Sequence, residues 1–300
     1  MEPLLTIFTP AYNRAHTLSR TYESLCNQTC KNFKWLIVDD GSTDGTRCLV
    51  EKWISENKIP IEYIWQENQG MHGAHNTAYE HITTELNTCI DSDDWMPEDA
   101  VEKIVNFWNK NKSDKVAGFV GLDYTAQGEL LGTRFKLSVI SLWEYNCNEK
   151  SGDKKLVYRT DVIKKYPKYP IFPGEKYVSL ATLYFLIDLD YPLLTLNEPL
   201  VIVDYQLDGS SYSMYKNYVK NPQGFIYDRK LVLSYPQSFK VTLKYCIHYI
   251  ANKLLAGEGR TIIIDSPKKL YTLMMLPIGY IWYRKILYSY KKGELMKIRP

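Results

Sequence analysis

The sequence predicts an α/β protein, a mostly parallel sheet flanked by helices, with a C-terminal helical extension. Short apolar runs alternate with amphipathic helical patterns from Leu4 to Ile90, as in parallel βαβ units with right-handed crossovers. Every unusual polar cluster in that stretch falls where a strand ends. From about Tyr218 onward the strand pattern disappears and tyrosine-rich helical spacing replaces it.

Leu4–Thr9 reads as a buried strand, which Pro10-Ala11-Tyr12-Asn13-Arg14 breaks ahead of a helix with Leu18, Tyr22 and Leu25 on one face. Phe33–Val38 is the second strand and runs into Asp39-Asp40-Gly41-Ser42-Thr43-Asp44-Gly45-Thr46. Ser42 or Thr43 is the expected N-cap of a helix that turns Leu49, Val50, Trp53 and Ile54 inward. Ile61–Trp65 leads through Glu67-Asn68-Gln69-Gly70 into a helix carrying Met71, Ala74, Ala78 and Ile82. A fourth strand ends at Ile90, and Asp91-Ser92-Asp93-Asp94 follows before a proline-started helix at Pro97. In such sheets ligands bind beyond the carboxyl ends of the strands. Any one of these loops has ordinary turn composition, whereas four on one edge outline a nucleotide pocket.

The acidic loop carries the chemistry. Carboxylates as close as Asp91, Asp93 and Asp94 repel one another, and a divalent ion is the simplest way to keep them ionised. Hard oxygen ligands favour Mg2+ or Mn2+ over zinc. The alternative is a solvated Asp-rich turn capping a helix.

Taken together, Pro-Ala-Tyr-Asn after the first strand, Val-Asp-Asp-Gly-Ser-Thr-Asp-Gly-Thr after the second, Asn68-x-Gly70 with the later Asn76, and Asp-Ser-Asp-Asp after the fourth resemble glycosyltransferase family 2 with its GT-A fold. Lys155–Arg159 and Phe172–Tyr177 are similar, more loosely, to segments of bacterial members. The resemblance implies a nucleotide-sugar donor. Pro10, Ala11, Tyr12 and Asn13 would line its base and ribose, and Asp40, with Asp39, would accept the imide proton of uracil. Asn68, Gly70, His75 and Asn76 would meet the donor, as would Asp91 and Ser92 at its ribose or sugar. Asp93 and Asp94 would bind Mn2+ or Mg2+. Helix capping is the structural alternative for Asp40 and Asp44. Relatives often carry Arg or Lys just before the Asn, where this chain has His75, so pH dependence near the ordinary histidine pKa of about 6.5 is expected. The same resemblance makes Glu175 the candidate general base, although Lys176 follows it where many relatives read Glu-Asp, and a first-turn helix acid is the alternative. Tyr205, Gln206 and Ser210, in the polar turn beyond Leu200–Val203, are further candidates to touch diphosphate or metal, or else form an ordinary Asp-Gly turn.

The chain divides into a catalytic domain over 1–215 and a helical, basic region over 216–300. Its net charge of +3 is uneven, with eight Lys or Arg between Lys268 and Pro300 against Glu294 alone. The apolar, aromatic run from Leu270 to Tyr283 falls short of the roughly twenty residues that span a bilayer, and Pro277 and Gly279 interrupt it. It suits an interfacial anchor on anionic lipid, or a helix packed on the catalytic domain. No nucleic-acid-binding module backs the basic residues. Six cysteines without a Cys-x-x-Cys pair read as reduced thiols of a cytosolic protein, and a strand that begins almost at Met1 leaves no secretory leader. The expectation is therefore an inverting, metal-dependent transferase of the cytoplasm, peripheral on the inner face of the membrane. It would use a UDP-sugar donor to extend a glycan or lipid-linked glycan of a bacterial surface polysaccharide. A non-catalytic nucleotide-sugar-binding scaffold is the alternative from another class. A sugar nucleotidyltransferase is disfavoured because no Gly-rich pyrophosphate loop follows the first strand.

Overall fold

The computed structural model describes residues 2–148, 152–204 and 214–294. In chain order the strands are β1 (Leu5–Ala11), β2 (Phe33–Asp39), β3 (Ile61–Trp65), β4 (Leu86–Cys89), β5 (Gly118–Thr125), β6 (Val139–Ile140), β7 (Lys154–Arg159) and β8 (Leu193–Val203). The helices are α1 (Leu18–Cys26), α2 (Thr46–Glu56), α3 (Met71–His81), α4 (Ala100–Asn111), α5 (Leu142–Asn148), α6 (Thr160–Ile163), α7 (Ala181–Asp188), α8 (Met214–Lys220), α9 (Pro222–Ser234), α10 (Phe239–Leu255) and α11 (Lys269–Lys291). The chain forms two compact units. One comprises Met1–Lys168 with Leu183–Gln206, the other Tyr169–Thr182 with Leu207–Arg299.

The first unit is built on one sheet ordered β3-β2-β1-β4-β7-β5-β8-β6. β3, β2, β1 and β4 are mutually parallel, β7 runs antiparallel between β4 and β5, and β8 is parallel to β5. All seven residues of β1 are buried, Thr6 and Thr9 included, which is why its sequence shows no alternation of inward apolar and outward charged residues. Leu18, Tyr22 and Leu25 of α1 join Trp35 and Trp53 in the core. There the Tyr22 ring stacks on Trp53 at 4.4 Å.

Two local expectations change. Pro10 continues β1 instead of ending it and lies opposite Val38 of β2. A proline is tolerated there because β4 stops pairing with β1 at Phe8, so no ladder bond on that side needs its missing N–H. Gly45, not Ser42 or Thr43, is the N-cap of α2, and Asp44 accepts from Thr46 N at 2.9 Å.

The second unit is helical. Ile226, Leu233, Cys246, Tyr249, Ile250 and Ile262 form one apolar cluster, and Tyr218, Phe225, Ala251 and Ile286 a second. The segment Tyr169–Thr182, expected in the catalytic domain, belongs to this unit. Tyr177 stacks on Phe225 at 4.9 Å, and a Cβ on Gly224 would come within 2.0 Å of the Tyr177 carbonyl, so only glycine allows this approach. The expected boundary at 215 thus misses a contact made between residues far apart in sequence. Tyr205, Gln206 and Ser210 lie outside the described residues.

Candidate active site

Parallel pairing of β3, β2, β1 and β4 brings the loops that leave them to one edge of the sheet. The first two loops are laced together. Asn13, in the left-handed region at φ 55°, accepts from Thr43 N on its Oδ1 at 2.8 Å, and its own N–H donates to Ser42 Oγ at 2.8 Å. Arg14 N donates to Thr46 Oγ1 at 3.1 Å and Ala15 N to Asp44 Oδ2 at 3.1 Å. Burial works against the Asp44 charge, but these donors outweigh it and lower its pKa, the capping role anticipated as the alternative. Pro10 and Ala11 are buried, so of the residues expected to line a base only Tyr12 offers an exposed ring, at 50% accessibility.

Asp39 and Asp40 are buried and face the protein. Asp39 accepts from Ser42 N at 2.8 Å and from the Tyr63 hydroxyl at 2.6 Å. Asp40 accepts from Gln66 Nε2 at 2.7 Å and from the N–H groups of Gln69 and Gly70, each at 2.8 Å. Gly70 is the N-cap of α3, so Asp40 anchors the start of that helix. Its oxygens thereby hold the loop that carries Asn68 and Gly70. Asn68 Nδ2 in turn donates to the Asp40 carbonyl at 2.9 Å. A Cβ on Gly41, at φ 83°, would approach Asn68 N to 3.0 Å, which is why the Asp-Asp-Gly run closes so tightly here.

At His75 the expected pH dependence changes. Its ring is fully buried against Phe8 and Tyr79, Nδ1 lies 2.9 Å from the Met71 carbonyl, and burial pulls its pKa down to about 4. It is neutral throughout the physiological range, so titration near 6.5 is not expected of it. Asn76, one step along α3, is half-buried.

The loop after β4 turns tightly, with Asp94 N donating to the Asp91 carbonyl at 3.1 Å. Asp91 is exposed, Asp93 half-buried, and Ser92 and Asp94 buried. Burial, and then the charge of Asp91, raises the pKa of Asp93 and pushes that of Asp94 up to about 8. Sequence reasoning missed Arg20 of α1, which organises this loop. Arg20 donates to the Asp93 carbonyl at 2.5 Å, pairs with Asp204 at 2.9 Å, and lies over the Trp95 ring at 4.1 Å. Thr21 Oγ1 donates to the Asp94 carbonyl at 2.7 Å. The bridge between Trp95 and Ile202 brings the end of β8 alongside, where Asp204 N donates to Asp94 Oδ1 at 3.2 Å.

Residues 6–159 match the family model described as Glycosyl transferase family 2. The chain belongs to that family. Glycosyltransferase GlyA of Streptococcus pneumoniae is 37% identical over 104 residues, 35% of this chain and 15% of that protein. Chondroitin synthase of Escherichia coli is 32% identical over 139 residues, 46% of this chain and 20% of that protein. The chain thus matches only a fraction of the length of these relatives. Staphylococcus aureus TarS 1-349 in complex with UDP-GlcNAc superposes with a TM-score of 0.58 at 20% identity, over 97% of this chain and 92% of that one. The mannosyltransferase PcManGT of Pyrobaculum calidifontis, in complex with GDP-Man and Mn2+, gives 0.56 at 16% identity, over 96% and 85%. These likenesses make the fold GT-A.

Glu175 of the family 2 chain lies in the second unit, and both its oxygens are occupied. Oε1 accepts from Gln223 N and Oε2 from Gly224 N, each at 2.9 Å, at the first turn of α9. That geometry gives it helix anchoring, with charge placed favourably at an N-terminus.

Proposed function

We propose that this chain is an inverting, metal-dependent glycosyltransferase that moves a sugar from a UDP-sugar donor to a glycan or lipid-linked glycan in the synthesis of a bacterial surface polysaccharide. One observation carries the reading: the loops after four adjacent parallel strands share one sheet edge, and the last of them bears Asp91, Asp93 and Asp94. The family match, the chondroitin synthase relative and the neighbours bound to UDP-GlcNAc and GDP-Man support it.

The acidic loop suits Mn2+ or Mg2+, because Asp91, Asp93 and Asp94 crowd hard oxygen ligands into a partly buried turn where a cation would offset their repulsion. Among the described residues no three His, Cys, Asp or Glu groups form a complete metal site. Asp93 and Asp94 would hold the ion while the donor diphosphate supplies further oxygens. Once bound, such an ion neutralises the departing nucleoside diphosphate. Arg20 and Thr21 fix the backbone that presents these carboxylates. Tyr12 offers its ring to the base, and Asp40, with Asp39, at the same sheet edge, would accept the uracil imide proton. A single in-line displacement at the anomeric carbon gives inversion.

In the second unit, α11 supports a location on the inner face of the membrane. Leu270, Leu273, Met274, Ile278 and Ile281 are exposed on it beside Lys269, Arg284 and Lys285. No described helix is long and apolar enough to cross a membrane. The reading is tested by incubating the protein with UDP-sugars and manganese and measuring UDP release. Release that chelator abolishes is expected; binding of donor with no release under any metal would favour the scaffold alternative.

A further inference from the structure

We propose that Lys155 is a donor-binding residue: its ammonium, seated on the Cys89 carbonyl at the exit of β4 and backed by the buried Asp123 of β5, is a fixed cation for the donor diphosphate. This rests on reading the Asp91–Asp94 edge as a nucleotide-sugar site.

Register brings these groups together within the first unit. β7 lies between β4 and β5, with Lys155 opposite Gly121, so Asp123, two residues along β5, shares its sheet face. Pairing of β4 with β7 ends at Asn87 and Tyr158, which leaves Lys155 beside the chain that runs from β4 to Asp91. Its Nζ donates to the Cys89 carbonyl at 2.9 Å. An ammonium carries three donors, and this carbonyl is the only hydrogen-bond acceptor the described residues give it, so two donors remain for a ligand.

Asp123 explains why a lysine is held there. It is buried, and its Oδ1 has no hydrogen-bond partner among the described residues. A buried carboxylate left in that state is costly unless a cation faces it. Burial disfavours the charge of Lys155, but Asp123 first, then Asp91, outweigh it and hold the ammonium protonated. Arg20, by contrast, is spent on Asp204, the Asp93 carbonyl and Trp95. Lys155 therefore has donors to spare at an edge where a diphosphate would arrive.

The test is calorimetric titration of UDP and of uridine, with manganese, into the wild-type protein and Lys155→Met. Loss of a charged hydrogen bond is expected to weaken UDP about 10- to 100-fold and to leave uridine unchanged. Lys155→Arg should retain UDP within several-fold. Asp123→Asn should weaken UDP less than Lys155→Met, and the double variant no further than Lys155→Met. Should Met prevent folding, Lys155→Gln is expected to repeat the loss while Lys155→Arg binds. UDP affinity unchanged in a folded, neutral Lys155 variant would overturn this role alone. Wild-type protein that binds neither UDP nor GDP would overturn the nucleotide-sugar reading as well.

Discussion

Carboxylates take opposite parts in this chain according to the donors that reach them. Asp39, Asp40, Asp44 and Glu175 accept backbone N–H groups and hold loops or helix starts in place, whereas the Asp91 side chain stays exposed at the sheet edge. Glu175→Gln gives up one charge-assisted acceptor at α9. It is expected to cost about 1–2 kcal/mol of stability, read as a lower melting temperature, with turnover changed only several-fold. Loss of turnover by a hundred-fold or more at an unchanged melting temperature would return the base role to it. Asp123 makes a pH-dependent contribution. Burial raises its pKa to about 7, against the opposing charges of Lys155 and Lys154 and with support from Asp153 and Asp91. The folded protein therefore keeps a proton that the unfolded chain has lost above about 4. The stability this contributes is full at low pH and is lost as pH rises through 7. The melting temperature of Asp123→Asn relative to wild type should rise between pH 5 and pH 8, equivalent to roughly 2 kcal/mol. A constant difference across that range would contradict the assignment. Capping was the alternative reading for Asp40 and Asp44, but the partners were not legible from the residues alone. The donors to Asp40 come from Gln66, Gln69 and Gly70, and those to Glu175 from Gln223 and Gly224, far along the chain.

At the scale of elements, much more was visible in advance. β1 to β4 and their helices follow the apolar periodicity, because a buried parallel strand leaves a continuous signature and an amphipathic helix a spaced one. β7 and β5 give no such warning. They are antiparallel, and their pairing unites Lys155 with Asp123 only once the register is known. In α11, Thr272, Gly279 and Ile286 are buried at heptad spacing, while Leu270, Met274, Ile278 and Ile281 are exposed along the helix. Such a face should bind vesicles containing phosphatidylglycerol and ignore purely zwitterionic ones. Ile278→Glu combined with Ile281→Glu is expected to abolish sedimentation with anionic vesicles without altering melting temperature. Equal sedimentation of that variant would remove the helix from membrane contact.

For the molecule as a whole, four polar loops on one sheet edge were foreseen because the parallel topology that collects them is itself written in strand and helix alternation. The division into units was not, since Tyr169–Thr182 joins the helices through Gly224 and Phe225 and not through its neighbours in sequence. What the assembled edge does depends on acidic side chains acting through an ion on a nucleoside diphosphate. Titration of UDP into wild-type protein and Asp93→Asn, with manganese and with chelator, tests this most directly. Binding should require manganese and fall at least about ten-fold in Asp93→Asn, the loss of one charged ligand. Equal affinity in all four titrations would contradict it.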